Sequence, residues 1–578
     1  MKRLIEFYQG FLKSMRHDET ENATIFSPLK PRAALSPVRS KIVLGILFGA
    51  FVLLILRALW LQALSTDFLQ KQGENRYARR LVMPAIRGRI LDRNGHVLAS
   101  SMQVKAIWAI PEDAVGAPPD KLRQLAALLE MPEEAVVSKL NSEKSFVYLK
   151  RQVELETADK IMELGIPGIQ TKKEYKRYYP EGEAMAHVVG FTDIEDKGQE
   201  GIELAFQDIL AGKNGSRRVI KDRLGRIVED LQEAKEPIDG QDLVLSIDSQ
   251  LQYIAYKRLQ EAVAEHHAKA GSVIVLDTHT GEVLAMANTP TFNPNNRKDI
   301  TPAQVRNRVM TDAFEPGSIM KPFAVALGLE KGKVSPETMI DTNGGRMTIG
   351  TATIGDSHRH GTLSVSQVIE KSSNIGTAKI ALMFSPQEMW EMFSSVGFGQ
   401  QPQFGFPGAS AGRLRPYKSW IPVEQATMSY GHGVSVSLFQ IARAYMIFAR
   451  QGDMIPLTFM KRDEVPEGRQ IISAKTAEQM RNMLELVVGP GGTAKQAAVP
   501  GYRVGGKTGT AYKIENGRYV RKYVGSFVGL APISNPRVII AVMIDEPTEG
   551  HFGGTVAAPV FSKLAFEIMR AMNIPPDA

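Results

Sequence analysis

Three short stretches, far apart in the chain, hold residues able to transfer an acyl group. The first is FEPGSIMKPF, Phe314 to Phe323, which sets a hydroxyl and an amine three residues apart at Ser318 and Lys321. Glu315-Pro316-Gly317 reads as a turn that delivers the chain into a helix starting near Ser318. Positions three apart share a helix face, so the hydroxyl and the amine stand side by side. Pro322 lacks the N–H that would bond the Ser318 carbonyl, and it fits only in an opening turn. Taken alone, this stretch reads better as a capping serine followed by a surface lysine, and the rest of the chain has to change that. The second stretch is KSSNIG, with Ser372-Ser373-Asn374 in a polar break between helical runs. The third is GGKTGTA, which places Lys507-Thr508-Gly509-Thr510 on a strand pattern. Each is weak by itself; in this order they form the set S-x-x-K, S-x-N, K-T-G.

The chemistry requires these residue types. A serine hydroxyl is a poor nucleophile until a neighbouring base takes its proton. Lys321 is that base only when neutral, so burial and nearby positive charge must push its pKa down from about 10.4. Lys507, facing the same cleft, supplies that charge and holds anionic substrates. Ser372 relays a proton between Lys321 and a leaving amine, and Asn374 holds a substrate amide. Gly509 lets a substrate backbone lie along the strand edge, as an added strand would. Thr508 and Thr510 offer hydroxyls to a substrate carboxylate. The backbone N–H groups of Ser318 and Thr510 are candidates for an oxyanion hole, worth roughly 3–4 kcal/mol per donor.

The elements that must position these groups follow from periodicity. LVLSIDSQLQYIAYKRLQEAV, Leu243 to Val263, is a short strand running into a helix. GSVIVLDTHTGEVLAMAN, Gly271 to Asn288, is two strands joined around Thr280-Gly281. A mostly helical stretch follows, and strands return at Tyr502–Tyr512, Tyr523–Pro532 and Arg537–Pro547. The last helix, about Val560 to Met572, gathers Phe561, Leu564, Ala565, Ile568 and Met569 on one face. Strands at both ends with helices between predict one antiparallel sheet, assembled from distant pieces and flanked by helices, in an α+β multidomain chain.

At 578 residues the chain exceeds one ordinary core. A composition of 43% hydrophobic and 23% charged residues is that of globular domains. The net charge of +8 is scattered, with no basic block interleaved with aromatics, which argues against nucleic acid and suits anionic lipid headgroups. With no cysteine, disulfides, thiol catalysis and Cys-ligated metal are excluded. KIVLGILFGAFVLLILRALWLQAL, Lys41 to Leu64, suits one membrane span, with Arg57 and Trp60 toward an interface. The tail before it is basic, so it is expected in the cytoplasm with the rest of the chain outside. The expected organisation is a tail at 1–41, an uncleaved anchor at 42–64, a β-rich pedestal at 65–235 and a catalytic domain at 240–578. Within the pedestal, RGRILDRNGHVLAS reads as a hairpin turning at Asn94-Gly95, and Asp120 to Leu140 as an amphipathic helical run. Arg87, Arg89, Asp92 and Arg93 are read as structural pairs, and Gln232 to Asp242 as a polar linker.

On these motifs the chain resembles the class B penicillin-binding proteins. RGRILDRNGHVLA, RYYPEGEAMAHVVGF and GQEGIELAF are similar to the pedestal motifs of that family. GGTAKQAA, KTGTA and IDEPTEGHFGGTVAAPVF are similar to its catalytic half. VEQATMSYGHGVSVSLFQIARAY looks most like the division-specific branch, with the elongation-specific branch next. The resemblance implies a penicillin-binding, β-lactamase-like fold and a serine-type D-Ala-D-Ala transpeptidase. Ser318 attacks a stem pentapeptide, releases D-alanine and passes the acyl group to an amine on an acceptor strand. It implies acylation by β-lactams, no cofactor and no metal, and work beside a SEDS-type membrane glycosyltransferase and other division proteins. It also implies a single-pass position in the bacterial inner membrane, at the septum. Tyr430 and Phe552 are expected on the cleft rim with substrate. The chain departs from the family pattern at His432, where a second tyrosine is usual, at Tyr512 in place of a basic residue, and at His551 in an aromatic pair.

Two other acyl-serine enzymes share the motifs. A β-lactamase needs a group that activates water, and no E-x-x-L-N stretch lies between Asn374 and Lys507. A β-lactam sensor needs a larger cytoplasmic portion. His266 and His267 diverge as neighbours on a helix, and His358 and His360 sit in a polar loop, so neither pair reads as a metal site.

Overall fold

The structure is a computed structural model that describes residues 37–61, 78–221 and 227–578. Most of the expected cytoplasmic tail and the end of the expected span at 62–64 lie outside the described residues. Helix α1, Pro37–Leu59, is long and apolar enough to cross a membrane, with a mean hydropathy of 2.7 and every side chain exposed. Arg57 stands in its last turn, where a cation suits the helix dipole.

The pedestal is organised on strands β1 (Ile90–Leu91) and β2 (Val97–Ala109), which pair as the expected hairpin. The amphipathic run divides into α2 (Pro119–Leu128) and α3 (Glu133–Leu140). Pro132 causes the break, because it disfavours helical backbone at the residue before it. Leu125, Leu129, Val136 and Leu140 still bury together against β3 (Val147–Val153) and β4 (Ile169–Tyr178). The polar stretch from Gln232 is less a linker than expected. Strand backbone runs through Lys235, and Lys213 and Ile238 exchange hydrogen bonds of 2.7 and 2.8 Å.

Arg87 and Arg177 both bind the Glu203 carboxylate at 2.6 Å, with side chains at most 1% exposed. Their remaining N–H groups reach carbonyls of Glu203 and Gly88 at 2.8 and 2.7 Å, so the buried ions are paired and bonded. Strand β5 (Leu243–Val244) joins β1 in parallel and leads the chain into the catalytic domain. The Asp92 carboxylate accepts N–H groups of Asn94 and His96 at 2.8 Å and the Ser249 hydroxyl at 2.8 Å, which ties the hairpin to the first catalytic helix. Arg89 pairs with Asp242 and Arg93 with Glu282, so all four pedestal charges are structural.

That first helix is α5 (Ser249–Glu265), capped by Asp248. Strands β6 (Ala270–Asp277) and β7 (Val283–Thr289) follow as the expected antiparallel pair. A 3₁₀ turn, Gly317–Met320, opens directly into α6 (Lys321–Glu330). Helices α7 (Val365–Glu370), α8 (Asn374–Ala381) and α9 (Ala474–Val488) intervene before β8 (Gly505–Glu515), β9 (Arg518–Ala531) and β10 (Val538–Asp545). The sheet order is β7-β6-β10-β9-β8, antiparallel throughout. Every residue of β6 and β10 is buried, as continuous apolar runs require when both faces are covered. The last helix, α10 (Ala558–Ala571), buries Phe561, Leu564, Ala565, Ile568 and Met569. Helix α6 is apolar all round and buried through Leu329, so its first residue, Lys321, is carried into the interior. Strand β8 is left as the sheet edge beside the 3₁₀ turn.

Candidate active site

Ser318 lies inside the 3₁₀ turn and Lys321 ends it, and side chains three apart eclipse in that geometry. The turn is held from two sides. Tyr445, itself buried, donates its hydroxyl to the Ile319 carbonyl at 2.9 Å. Residue 431 presses on residue 317 so closely that a Cβ on Gly431 would lie 2.2 Å from the Gly317 carbonyl oxygen. Both positions are glycines with positive φ, +88° and +57°.

Strand β8 closes on the same turn. A Cβ on Gly509 would come within 2.7 Å of the Pro316 carbonyl, so only glycine allows this approach. A Cβ on Gly317 would lie 3.0 Å from the Thr510 carbonyl oxygen, which sets the backbones beside Ser318 and at Thr510 next to one another. Thr510 Oγ1 accepts the Gly553 N–H at 3.0 Å, and Thr508 Oγ1 lies 3.0 Å from Thr493 Oγ1.

The two lysines meet at Ser372. Lys321 Nζ donates to the Ser372 carbonyl oxygen and lies 3.0 Å from Ser372 Oγ. Lys507 Nζ lies 3.0 Å from the same Oγ. Both lysines are 0% exposed. Burial, then the Lys507 charge, hold Lys321 well below the usual lysine range. Burial alone lowers Lys507 to about 7. Lys321 is thus held toward its neutral form, with Lys507 as the neighbouring charge. Both Lys321 hydrogen bonds go to Ser372, and a neutral amine with two N–H donors so used keeps one lone pair free.

Ser372 reaches inward because its backbone is left-handed, φ +61°, which is uncommon for a residue with a side chain. Asp356 fixes the loop. Its carboxylate accepts the Ser373 hydroxyl at 2.7 Å and the N–H groups of Asn374 and Ile375 at the start of α8. Asn374 turns its amide N–H to the Gly355 carbonyl at 2.8 Å, leaving its amide oxygen for another partner. Sequence reasoning missed Asp356, because a lone aspartate in a polar loop carries no periodic or spacing signal. It also missed Tyr445 and Glu315.

The rim differs from expectation at Tyr430. That side chain is 5% exposed and packs with Ile354, Ile375 and Ala426, filling space beneath α8 and supporting the site from inside. The ring that reaches the rim is His432, whose centroid is 5.3 Å from Tyr430 and 6.1 Å from Tyr519. Phe552 is 57% exposed, beside His551 at 4.2 Å. Among the described residues there is no group of three His, Asp or Glu arranged to hold a metal.

The family model "Penicillin binding protein transpeptidase domain" matches residues 271–565, and "Penicillin-binding Protein dimerisation domain" matches residues 82–245. The chain is 44% identical over 532 residues to the probable peptidoglycan D,D-transpeptidase PenA of Neisseria gonorrhoeae, covering 91% of each. It is 39% identical over 551 residues to the peptidoglycan D,D-transpeptidase FtsI of Escherichia coli K12, covering 93% of each. Among solved structures it is similar to the transpeptidase domain of Burkholderia pseudomallei penicillin-binding protein 3. That match has 52% identity and a TM-score of 0.54, over 58% of this chain and 98% of that one. A peptidoglycan synthetase of Bifidobacterium adolescentis matches at 25% identity and a TM-score of 0.70, over 87% of this chain and 98% of that one.

Proposed function

The chain belongs to the class B penicillin-binding proteins, the peptidoglycan D,D-transpeptidases, and from that premise we propose that Ser318 is the residue acylated by the donor stem peptide. Lys321, neutral, takes the Ser318 proton as Oγ attacks the penultimate D-alanine carbonyl. The oxyanion settles against the backbone N–H groups of Ser318 and Thr510. Ser372 passes the proton from Lys321 to the departing D-alanine amine. Lys507, Thr508 and Thr510 hold the substrate carboxylate, Gly509 lets its backbone lie on the β8 edge, and Asn374 takes a substrate amide through its free oxygen. β-lactams enter by the same attack and leave a long-lived adduct.

The observation that carries this reading is the pair of fully buried lysines sharing Ser372 Oγ at 3.0 Å each. Burying two amines side by side is costly, and it gives a site where one of them is neutral at working pH. The test is labelling with a fluorescent penicillin. Wild-type chain takes the label, Ser318→Ala does not, and Lys321→Met loses about 10²-fold or more in rate. A labelled Ser318→Ala chain overturns the assignment.

The same reading places α1 across the cytoplasmic membrane with the catalytic domain outside, at the division septum, beside a membrane-embedded glycosyltransferase and other division proteins. It is supported by the basic tail, by α1 and by the likeness of Val423 to Tyr445 to the division-specific branch. Depletion is expected to give filaments; round cells would instead assign the chain to elongation.

A further inference from the structure

The acyl-enzyme must be relieved by a primary amine, which is an ammonium ion at neutral pH and cannot attack until it loses a proton. The proposed roles of Lys321, Ser372 and Lys507 account for the donor half of the reaction only. Beside the nucleophile's turn lies a second group of polar side chains. The Glu315 carboxylate accepts the Tyr519 hydroxyl at 3.0 and 3.2 Å and the Gly433 N–H at 2.8 Å. Among the described residues no lysine, arginine or histidine forms an ion pair with it. His432 stands between the Tyr430 and Tyr519 rings, and among the described residues neither of its ring nitrogens has a hydrogen-bond partner. The contact of Gly431 on Gly317 fixes this imidazole next to the turn that carries Ser318. Tyr519 is 55% exposed, so the group opens to solvent. Glu315 also lines a cavity of about 610 Å³ with Phe314, Tyr512 and Lys513.

We propose that Glu315, His432 and Tyr519 form the receiving site for the primary ammonium of the acceptor strand, and that His432 takes the proton the amine must lose. The proposal rests on Ser318 being the acylated residue. An unpaired carboxylate attracts a cation, and the Tyr519 hydroxyl and Gly433 N–H hold that carboxylate in place. Burial, opposed by the Glu315 charge, lowers the His432 pKa, so the ring is neutral and has a lone pair for a proton. The ammonium passes one proton to a His432 nitrogen. The freed lone pair forms the N–C bond to the acyl carbon as the ester bond from that carbon to Ser318 Oγ breaks. The second proton leaves the new amide nitrogen and returns to Oγ through Ser372 and Lys321, and His432 then releases its proton to water.

The test uses the full chain in detergent, a D-alanyl thioester donor and two acceptors in competition. One acceptor is a diamino acid carrying a primary ammonium; the other is hydroxylamine, which is uncharged near neutral pH and needs no prior deprotonation. The reading is the ratio of the two transfer products per acylation event. Glu315→Gln, His432→Gln and the milder Tyr519→Phe are each expected to shift that ratio toward hydroxylamine, about tenfold or more for the first two. Equal ratios in wild type and in all folded variants overturn the proposal, and Tyr519→Phe supplies that comparison if the other two fail to fold. Capture of fluorescent penicillin reports separately on Ser318. Variants that capture it with an unchanged ratio defeat the acceptor site alone, whereas a wild-type chain that fails to capture it defeats the assignment underneath.

Discussion

Two buried amines within 3.0 Å of one hydroxyl dominate the chemistry at the scale of single residues. Lys507 titrates at about 7 in the folded chain against a usual 10.5. Between those values the unfolded chain binds a proton that the folded chain lacks, so stability rises with pH across that window and is lost as pH falls toward 7. Lys321, also lowered, adds to the same trend. Lys507→Met is therefore expected to lose most penicillin acylation while showing a smaller rise in Tm between pH 7 and 9 than wild type, measured by differential scanning calorimetry. An equal rise in both chains would mean that Lys507 is charged when folded. The need for a neutral Lys321 was legible from Ser318 and Lys321 themselves, since a charged amine cannot deprotonate a serine. The left-handed backbone of Ser372 was not legible, because serine gives no signal for positive φ and only the packed loop enforces it.

At the scale of elements, the site depends on loops pinned by carboxylates. Asp356 receives one hydroxyl and two N–H groups where α8 begins. Asp356→Asn keeps the shape but removes the charge that suits a helix N-terminus, and one face of the amide would oppose a donor with a donor. It is expected to slow penicillin acylation about tenfold, read by stopped-flow labelling, with Ser318 still the site of attachment. In the pedestal, Glu203→Gln leaves Arg87 and Arg177 buried without their counter-charge, a change worth about 3–5 kcal/mol, and should lower the pedestal's unfolding temperature by several degrees. An unchanged Tm would show that the triad is already relaxed into water. The five-stranded sheet was legible from its apolar runs, as was the hairpin at Asn94-Gly95. The division of the helical run at Pro132 was available in the sequence but outweighed by the leucine spacing. Tyr430 misled, because a tyrosine next to glycines reads as a rim residue until the surrounding helices are seen to bury it.

Across the whole molecule, an apolar helix, a pedestal and a catalytic domain follow one another in a single chain. Asp92 and Arg93 join pedestal to catalytic domain through Ser249 and Glu282. Removing residues 1–59 should move the penicillin-labelled chain from the membrane to the soluble fraction; retention in the membrane would mean that another surface holds it there. The central claim is that a neutral Lys321 activates Ser318, and its most direct measurement is the rate of penicillin acylation against pH, followed by intact-mass spectrometry with the adduct mapped to a peptide. The account predicts an adduct on Ser318 and a rate that climbs as pH rises through a midpoint well below the usual lysine value of 10.5. An adduct on another residue, or a rate that climbs only near 10.5, would contradict it.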